Sequence, residues 1–373
     1  MEWPINKPIY DINKSWEDNL ENGPFVDGFK KIERTNNKDS SKYIDFLGQK
    51  LASPIGVPAG PLLNSQWVKF ALEAGFDLPT YKTIRSHEHF GHPVPNVMYL
   101  DLENNENDRD VKQFSKSDSG SILHATQKIP TTMDQLAITN SFGMPSMGKE
   151  YLYKDIALAH SYLGDGQSMI VSITGTASSA HDFLQDFVDT VRIACDAGAK
   201  IVEVNYSCPN VVTGEGQIYH NPDAVYEISS TLVKELSSKN IPLIIKVGVM
   251  DDLEKMERLF QQAERAGVAA IAGINTLSMK VTDKVTGEPS LGASRLTSGV
   301  CGAPIRSAAL DWVSTASSII KKQNSKLKLL GCGGIVKPEH FDDFLNSGAD
   351  IAMSATGLMW DPYIAMKWHN NKK

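Results

Sequence analysis

Residues 201–210, with the sequence IVEVNYSCPN, combine side chains that could transfer a proton and hydrogen-bond a ligand. Their first four residues predict a short β-branched strand that runs directly into a polar tip. The tip carries the amides of Asn205 and Asn210, the Ser207 hydroxyl and the Cys208 thiol. In an α/β barrel, catalytic groups lie at the carboxyl ends of the strands, as this tip would. The same pattern also fits a capped turn with an incidental cysteine, so the surrounding elements decide its meaning.

Strand-like and helix-like segments alternate along most of the chain. Apolar residues at helical spacing separate most of the strand candidates, and Asp252 is the predicted N-cap of one helix. Such alternation predicts a parallel sheet, and eight units favour a closed (β/α)8 TIM barrel of the α/β class over an open doubly wound sheet. The strand candidates are PIGVPAG (54–60), TYKTI (80–84), MIVSITG (169–175), IVEVNYS (201–207), IPLIIKVGV (241–249), VAAIAGINT (268–276), LKLLGCGGI (327–335) and DIAMSAT (350–356).

Two segments fall outside this alternation. Residues 1–50 form a polar N-terminal extension without periodicity, which fits either an ordered arm or a loosely held tail. We expect residues 51–373 to form the barrel domain, with a long insertion after the second strand at about residues 85–165. Within the insertion, the acidic stretch 101–121 predicts a solvated loop, whereas the Gly and Pro of NSFGMPSMG (140–148) predict a tight path at a surface or cleft.

The bulk composition excludes several classes of protein. The 373 residues are 41% hydrophobic and 22% charged, with a net charge of −7, which argues against a nucleic-acid-binding face. The four cysteines form no CxxC pair, so reduced thiols in a cytoplasmic protein fit better than disulfides or structural zinc. The histidines of HEHFGH (87–92) match no common metal-ligand spacing, and we expect no metal site. Neither a signal peptide nor an apolar run of membrane-spanning length is visible, so no membrane partner is expected.

Polar and glycine residues occupy the carboxyl ends of the predicted strands. Lys82 and Lys246 stand in apolar strands, and a lysine deep in a barrel needs an anionic or electron-rich partner unless it snorkels to the rim. The glycines of GCGGI (331–335) and the neighbouring SATGL (354–358) follow strands seven and eight, where many barrels bind phosphate. No GxGxxG opens a βαβ unit, so a Rossmann nicotinamide site is not predicted. The full set of strand ends is Ala59–Gly60, Lys82, Ser172, Asn205, Lys246, Asn275–Thr276, Gly333–Gly334 and Ala355–Thr356.

Several motifs together resemble the FMN-dependent dihydroorotate dehydrogenases, and specifically their class 1 members with a cysteine base. NSxGxPxxG combined with xNxSCPN is specific to this kind of enzyme, whereas the glycine motifs are shared with many phosphate-binding barrels. The chain departs from the family pattern at Tyr206 and Phe142, where aliphatic residues are usual, and in its long N-terminal extension and short closing helix. The matching motifs are NSFGMPSMG (140–148), VNYSCPN (204–210), IIKVGV (244–249), INT (274–276), SGVCGAPI (298–305), GCGGI (331–335) and ATGL (355–358).

The resemblance implies a role for each matched position. It implies that Cys208 is the catalytic base, that Ser207 orients it and that Lys82 touches both substrate and flavin. The implied substrate-binding residues are Lys82, Asn140, Phe142, Gly143, Met144, Asn205, Asn210, Asn275 and Thr276. The implied FMN-binding residues are Ala59, Gly60, Lys82, Thr83, Ser172, Asn205, Lys246, Ile274, Gly299, Cys332, Gly333, Gly334, Ala355 and Thr356.

The chemistry of these groups agrees with the resemblance. Oxidation of dihydroorotate to orotate removes a proton from C5 and a hydride from C6, so it needs a base, a hydride acceptor and donors for a flat polar ligand. The resemblance therefore implies a cytoplasmic enzyme of pyrimidine biosynthesis, assembled as a homodimer, whose electron acceptor the sequence leaves open. The alternatives are another pyrimidine-oxidoreducing flavoenzyme, a flavin-binding barrel without turnover, and a quinone-linked membrane-associated enzyme, which Cys208 argues against.

Overall fold

The chain folds around a closed parallel barrel of eight strands, as the sequence predicts. The computed structural model describes residues 2–33, 39–102, 112–114, 121–176, 182–207, 209–210 and 216–372. Each barrel strand pairs with the next along the chain, and the eighth closes onto the first through Ala352 and Ile55. In order, the eight barrel strands are Ile55–Val57, Leu78–Ile84, Ile170–Ile173, Ile201–Asn205, Leu243–Lys246, Ala270–Gly273, Lys328–Cys332 and Ile351–Met353.

Helices follow most of these strands and cover the outside of the barrel. Polar residues define several helix starts: the side chain of Asp252 accepts a hydrogen bond from Lys255 N, which confirms the predicted N-cap, and Asn221 caps another helix in the same way. The helices of the described chain are Trp16–Asn22, Ser65–Glu73, Lys149–Ser161, Phe183–Asp196, Pro222–Ser237, Leu253–Arg265, Arg306–Gln323, Glu339–Asn346, Thr356–Trp360 and Ile364–Asn371. No described helix has both the length and the apolar character needed to cross a membrane.

Apolar side chains fill the barrel interior near the amino ends of the strands. Ile170, Ile201 and Ile244 belong to one buried cluster that also includes Leu51 and Phe46. The last two residues come from a two-stranded hairpin, Ile44–Phe46 with Gln49–Leu51, which precedes the first barrel strand. Within the described residues, the barrel is therefore a packed core closed at one end by the hairpin, and ligand sites of such barrels lie at the opposite end, where the strands terminate.

A second closed sheet of five strands was not predicted from the sequence. Three of its strands come from the insertion after the second barrel strand, and two follow the sixth barrel strand. The long-range pairing of Gly299 with Asn140 joins these two parts of the chain. The five strands are Val97–Asp101, Ile122–Thr126, Ala137–Asn140, Leu277–Thr282 and Ser298–Gly302.

The first part of the N-terminal extension is an ordered arm. Ile9 N donates to Met359 O at 2.8 Å, and Phe25 N donates back to Ile9 O at 2.9 Å. A short helix, Trp16–Asn22, begins with a capping box between Ser15 and Asp18. Its buried residues belong to the main core, so residues 2–33 pack against the barrel.

Candidate active site

One cavity of about 560 Å³ lies at the carboxyl ends of the barrel strands, a size typical of cofactor and substrate sites. The barrel strand ends, the second sheet and the N-terminal arm all contribute to its walls. The cavity brings together almost all of the site residues predicted from the sequence. Those that line it are Ala59, Gly60, Lys82, Thr83, Asn140, Phe142, Gly143, Met144, Asn205, Ser207, Lys246, Ile274, Asn275, Thr276, Gly299, Cys332, Gly333, Gly334, Ala355 and Thr356.

The amides at the ends of strands four and six form a connected network. Asn205 Oδ1 accepts hydrogen bonds from Ser207 N at 3.1 Å and from Ser207 Oγ at 2.8 Å. The Ser207 hydroxyl in turn accepts from Asn275 Nδ2, while Asn275 Oδ1 accepts from Thr276 N at 3.0 Å. These bonds fix the orientation of both amides, so their remaining groups face the cavity in a defined arrangement.

Two predicted residues of the same motif are not placed in the cavity. Cys208 lies outside the described residues. Asn210 is described only through its backbone, which pairs with Gly216 in a short two-stranded ribbon. The described chain therefore locates their sequence neighbours Asn205 and Ser207 in the cavity wall, and the side chains of Cys208 and Asn210 stay predictions.

The segment that carries Asn140, Gly143 and Met144 is held by side chains from elsewhere. Asn140 Nδ2 donates to Cys301 Sγ at 3.2 Å and to Gly299 O at 3.4 Å. The guanidinium of Arg85 donates to Met144 O at 2.9 Å and to Gly143 O at 3.2 Å. Gly143 and Met144 have φ values of 76° and 51°, so both adopt the left-handed conformation that a non-glycine residue rarely takes. Arg85 thus holds an unfavourable backbone path in place.

Strand two contributes Lys82 and Thr83 to the cavity, whereas Ser172 lies behind them. The Thr83 and Ser172 hydroxyls are 3.0 Å apart, and Ser172 is completely buried. Ser172 is absent from the cavity wall, so its part at the site is to support Thr83. Ser172 is the third of the four residues of its strand, Ile170–Ile173, whereas Asn205 and Lys246 are the last residues of theirs, and the sequence alone did not set these strand ends precisely.

Lys246 is a buried cation in the cavity wall, only 4% exposed. Burial alone would lower its pKa, but the neighbouring Cys332 sulfur and the Glu203 carboxylate outweigh that effect and raise the pKa above its usual value. Burial raises the pKa of the Cys332 thiol, whose Sγ donates to Ile274 O at 3.1 Å. Lys246 therefore stays positively charged in the cavity wall, where it can stabilise negative charge on a ligand.

Glycines form another part of the cavity wall, at Gly60, Gly299, Gly333 and Gly334. Gly333 and Gly334 have φ values of 129° and 75°, so this turn requires the left-handed conformation that glycine favours. A Cβ on Gly299 would collide with Thr276, and a Cβ on Gly60 would meet no protein atom within 4 Å. Because these glycines carry no side chain, their backbone can lie close to a bound phosphate.

Several cavity residues were not among the predicted site residues. Tyr10 and Trp16 come from the N-terminal arm, Arg85 and His92 from the insertion, and Cys301 from the second sheet. Arg85 directly follows barrel strand two, Leu78–Ile84, whereas the other four lie away from the barrel strand ends. Cys301 lies inside a motif quoted from the sequence, which was the one available signal.

The HEHFGH segment forms no metal centre. His89 and His92 are partly buried in a loop, and burial lowers the pKa of both imidazoles. His92 lines the cavity beside Ser141, whose hydroxyl is 3.3 Å from its Nδ1. Across the described ranges, no group of three His, Cys, Asp or Glu side chains is arranged to hold a metal ion.

Comparison with known proteins identifies the family. A family model described as "Dihydroorotate dehydrogenase" matches residues 126–371. A protein of Dictyostelium discoideum named "Dihydroorotate dehydrogenase" is 94% identical over 373 residues, which is 100% of both chains. More distant relatives are "Dihydroorotate dehydrogenase A (fumarate)" of Limosilactobacillus reuteri, 30% identical over 192 residues, and "Dihydroorotate dehydrogenase B (NAD(+)), catalytic subunit" of Fusobacterium nucleatum subsp. nucleatum, 27% identical over 192 residues. Each of these two alignments covers 51% of this chain and 59% of the relative. The chain therefore belongs to the dihydroorotate dehydrogenase family and is an oxidoreductase.

Proposed function

We propose that this protein uses FMN to oxidise (S)-dihydroorotate to orotate in the biosynthesis of pyrimidines. The observation that carries the proposal is a single cavity that joins the amide cluster of Asn140, Asn205 and Asn275 to the cation of Lys246 and to the glycine wall at Gly333. The amides match a flat ligand rich in donors and acceptors, while the cation and the glycines match a flavin with a phosphate. A relative that is 94% identical along its whole length carries the name of this activity.

The residues of the cavity fit FMN from end to end. Gly333 and Gly334, with Ala355 and Thr356 beside them, would hold the phosphate through backbone N–H groups. Lys246 would face the N1/O2 edge of the ring, where its positive charge stabilises the reduced, anionic flavin. When bound, FMN supplies the acceptor for the hydride that leaves C6 of the substrate.

The substrate would lie against the amide cluster. The network of Asn205, Ser207 and Asn275 presents preoriented groups for the carbonyls and ring N–H groups of the pyrimidine. Asn140 and the left-handed turn at Gly143 and Met144 would close the other side. A site built from paired amides discriminates strongly against ligands that leave one of them unmatched.

We assign the C5 proton to the thiolate of Cys208. The residue follows Ser207, which lines the cavity, and precedes the ribbon that begins at Pro209. The Ser207 hydroxyl, held by Asn205, is placed to orient the thiol or a water. A positioned base of this kind contributes roughly 10²–10⁴ in rate.

The physiological electron acceptor is a separate part of the proposal. The distant relatives carry fumarate or NAD(+) in their names. We expect the chain to work as a cytoplasmic homodimer. Reoxidation of the reduced enzyme by fumarate, by NAD(+) and by a soluble quinone, measured separately, would identify the acceptor.

The decisive experiment is anaerobic mixing of the purified yellow protein with dihydroorotate, followed by flavin absorbance. Cys208→Ala should retain FMN and lose roughly 10²–10⁴ in the rate of bleaching at neutral pH. Cys195→Ala is the matched control, because Cys195 lies on the helix Phe183–Asp196 and lines no part of the cavity. Bleaching by dihydrouracil but not by dihydroorotate would refute the substrate assignment, and a near-normal rate in Cys208→Ala would refute the base.

A further inference from the structure

A layer of polar side chains lies inside the barrel, one step below the cavity. Glu203 on strand four is fully buried, and its register partner on strand three is Ser172, which is also fully buried. Thr80 on strand two is equally inaccessible. Within the described chain, neither carboxylate oxygen of Glu203 nor the Thr80 hydroxyl makes a hydrogen bond of standard geometry.

A buried carboxylate needs an electrostatic partner, because the loss of hydration otherwise costs several kcal/mol. Burial raises the pKa of the Glu203 carboxyl, and the Lys246 ammonium and the Ser172 hydroxyl oppose that shift by favouring the ionised form. Reciprocally, Glu203 helps to keep Lys246 protonated. Lys246 stands on the next strand of the barrel, beside Asn205. Glu203 pairs in register with Ile244, so Lys246 lies two residues farther along the same neighbouring strand, and each group favours the charged form of the other.

The position of Glu203 distinguishes it from the residues of the cavity wall. Lys246 lines the cavity and Glu203 does not. A ligand in the cavity therefore contacts the Lys246 ammonium directly. The Glu203 carboxylate does not contact the ligand and acts on it by partly cancelling the positive charge of Lys246. Fields of this kind are strong where water is excluded.

We propose that Glu203 is a positioning residue that compensates the charge of Lys246 and so sets how strongly the site favours reduced over oxidised flavin. With Glu203 ionised, the pair is nearly neutral, and the flavin feels only the proximity of the ammonium. Replacement of the carboxylate by a neutral group leaves a full positive charge beside the flavin N1/O2 edge, which favours the reduced anion. The inference rests on the FMN site of the proposed function.

The test is the midpoint potential of the bound flavin, measured by anaerobic reduction against a reference dye, with FMN affinity as a second readout. Glu203→Gln should increase the preference for reduced over oxidised FMN about tenfold, which raises the two-electron potential by about 30 mV. Glu203→Asp, which keeps the charge, should stay closer to the wild type. Glu235→Gln is the matched control, because this exposed glutamate pairs with Arg192 on the outer surface.

A double-mutant cycle separates an effect through Lys246 from any other. In a Lys246→Met background, Glu203→Gln should shift the potential much less than it does in the wild type. An unchanged potential in Glu203→Gln, or the same shift in both backgrounds, would overturn the inference. If Glu203→Gln does not fold, Ser172→Ala provides the second variant. Loss of the Ser172 hydroxyl disfavours the ionised Glu203 carboxylate and should therefore raise the flavin potential. An unchanged or lowered potential in Ser172→Ala would overturn the inference. A wild-type protein that binds no flavin would instead refute the proposed function.

Discussion

Arg85 offers a sharp test of how the site holds its substrate, because one guanidinium fastens the segment that closes over the amide cluster. Its Nε donates to Met144 O at 2.9 Å, its Nη2 to Gly143 O at 3.2 Å and its Nη1 to Thr176 Oγ1 at 2.7 Å. Arg85 is 8% exposed, so these bonds are largely shielded from solvent. A lysine at this position keeps the charge but lacks the planar fork.

The cost of Arg85→Lys follows from the bonds that it removes. A hydrogen bond to a charged group contributes about 1.5–3 kcal/mol, and a lysine can keep one of the three. Because the solvent-accessible part of the site screens some of this energy, we expect a total loss of about 2–4 kcal/mol. Met144, at φ 51°, would then relax from its left-handed conformation. If half of that loss falls on substrate binding, KM for dihydroorotate rises roughly 5–30-fold.

The assay is steady-state kinetics combined with the thermal unfolding of the FMN-loaded protein. Arg192→Lys is the matched control, since this exposed arginine of the helix Phe183–Asp196 also donates through its fork, to the Glu235 carboxylate, but lines no part of the cavity. We expect Arg85→Lys to raise KM more than it lowers kcat, because the segment positions substrate and does not take part in proton transfer. A folded variant with KM within twofold of the wild type would show that Arg85 does not hold the segment.

Two further predictions concern His340 and Gly334, in and beside the turn after barrel strand seven. Burial lowers the pKa of His340 to about 4, and its Nδ1 accepts a hydrogen bond from Val336 N at 3.3 Å. Because the folded pKa lies below the unfolded value of about 6.5, stability is full well above pH 6.5 and falls by about 3 kcal/mol as the pH drops to 4. Denaturant titrations of His340→Gln should show a smaller fall. Gly334→Ala should weaken FMN binding at least tenfold by fluorescence titration, since φ is 75° and a Cβ would lie 2.6 Å from Arg306 Cα; wild-type affinity would contradict the glycine wall.

The barrel could be predicted because its signal is local. Each strand is a short apolar run, such as the segment that became Leu243–Lys246. The helices after strands one, three, four and five each begin at a side-chain N-cap. Parallel strands connected in this way have few alternatives to pairing in sequence order. The site residues at the strand ends were predicted with the barrel, since their position depends on strand identity alone.

The second sheet could not be predicted for the opposite reason. Its pairing of Val300 with Thr139 is antiparallel and joins segments that are about 160 residues apart, whereas the barrel strands pair in parallel. The strand Ser298–Gly302 contains two glycines, which weaken any strand signal. Cys301 lies on this sheet, so a sequence pattern confined to the barrel could not find it.

Two departures from the family pattern, Phe142 and the long N-terminal extension, lie in contact with each other. Phe142, which stands where an aliphatic residue is usual, packs edge-on against Tyr10 with ring centroids 5.7 Å apart. Tyr10 belongs to the N-terminal arm, is 1% exposed and lines the cavity together with Trp16. An aromatic side chain at position 142 gives the arm a surface to pack on, and the arm in turn fixes the segment that carries Asn140. The N-terminal extension is thus part of the wall of the site. Phe142 and the extension occur together because the Phe142 ring packs against Tyr10 of the arm.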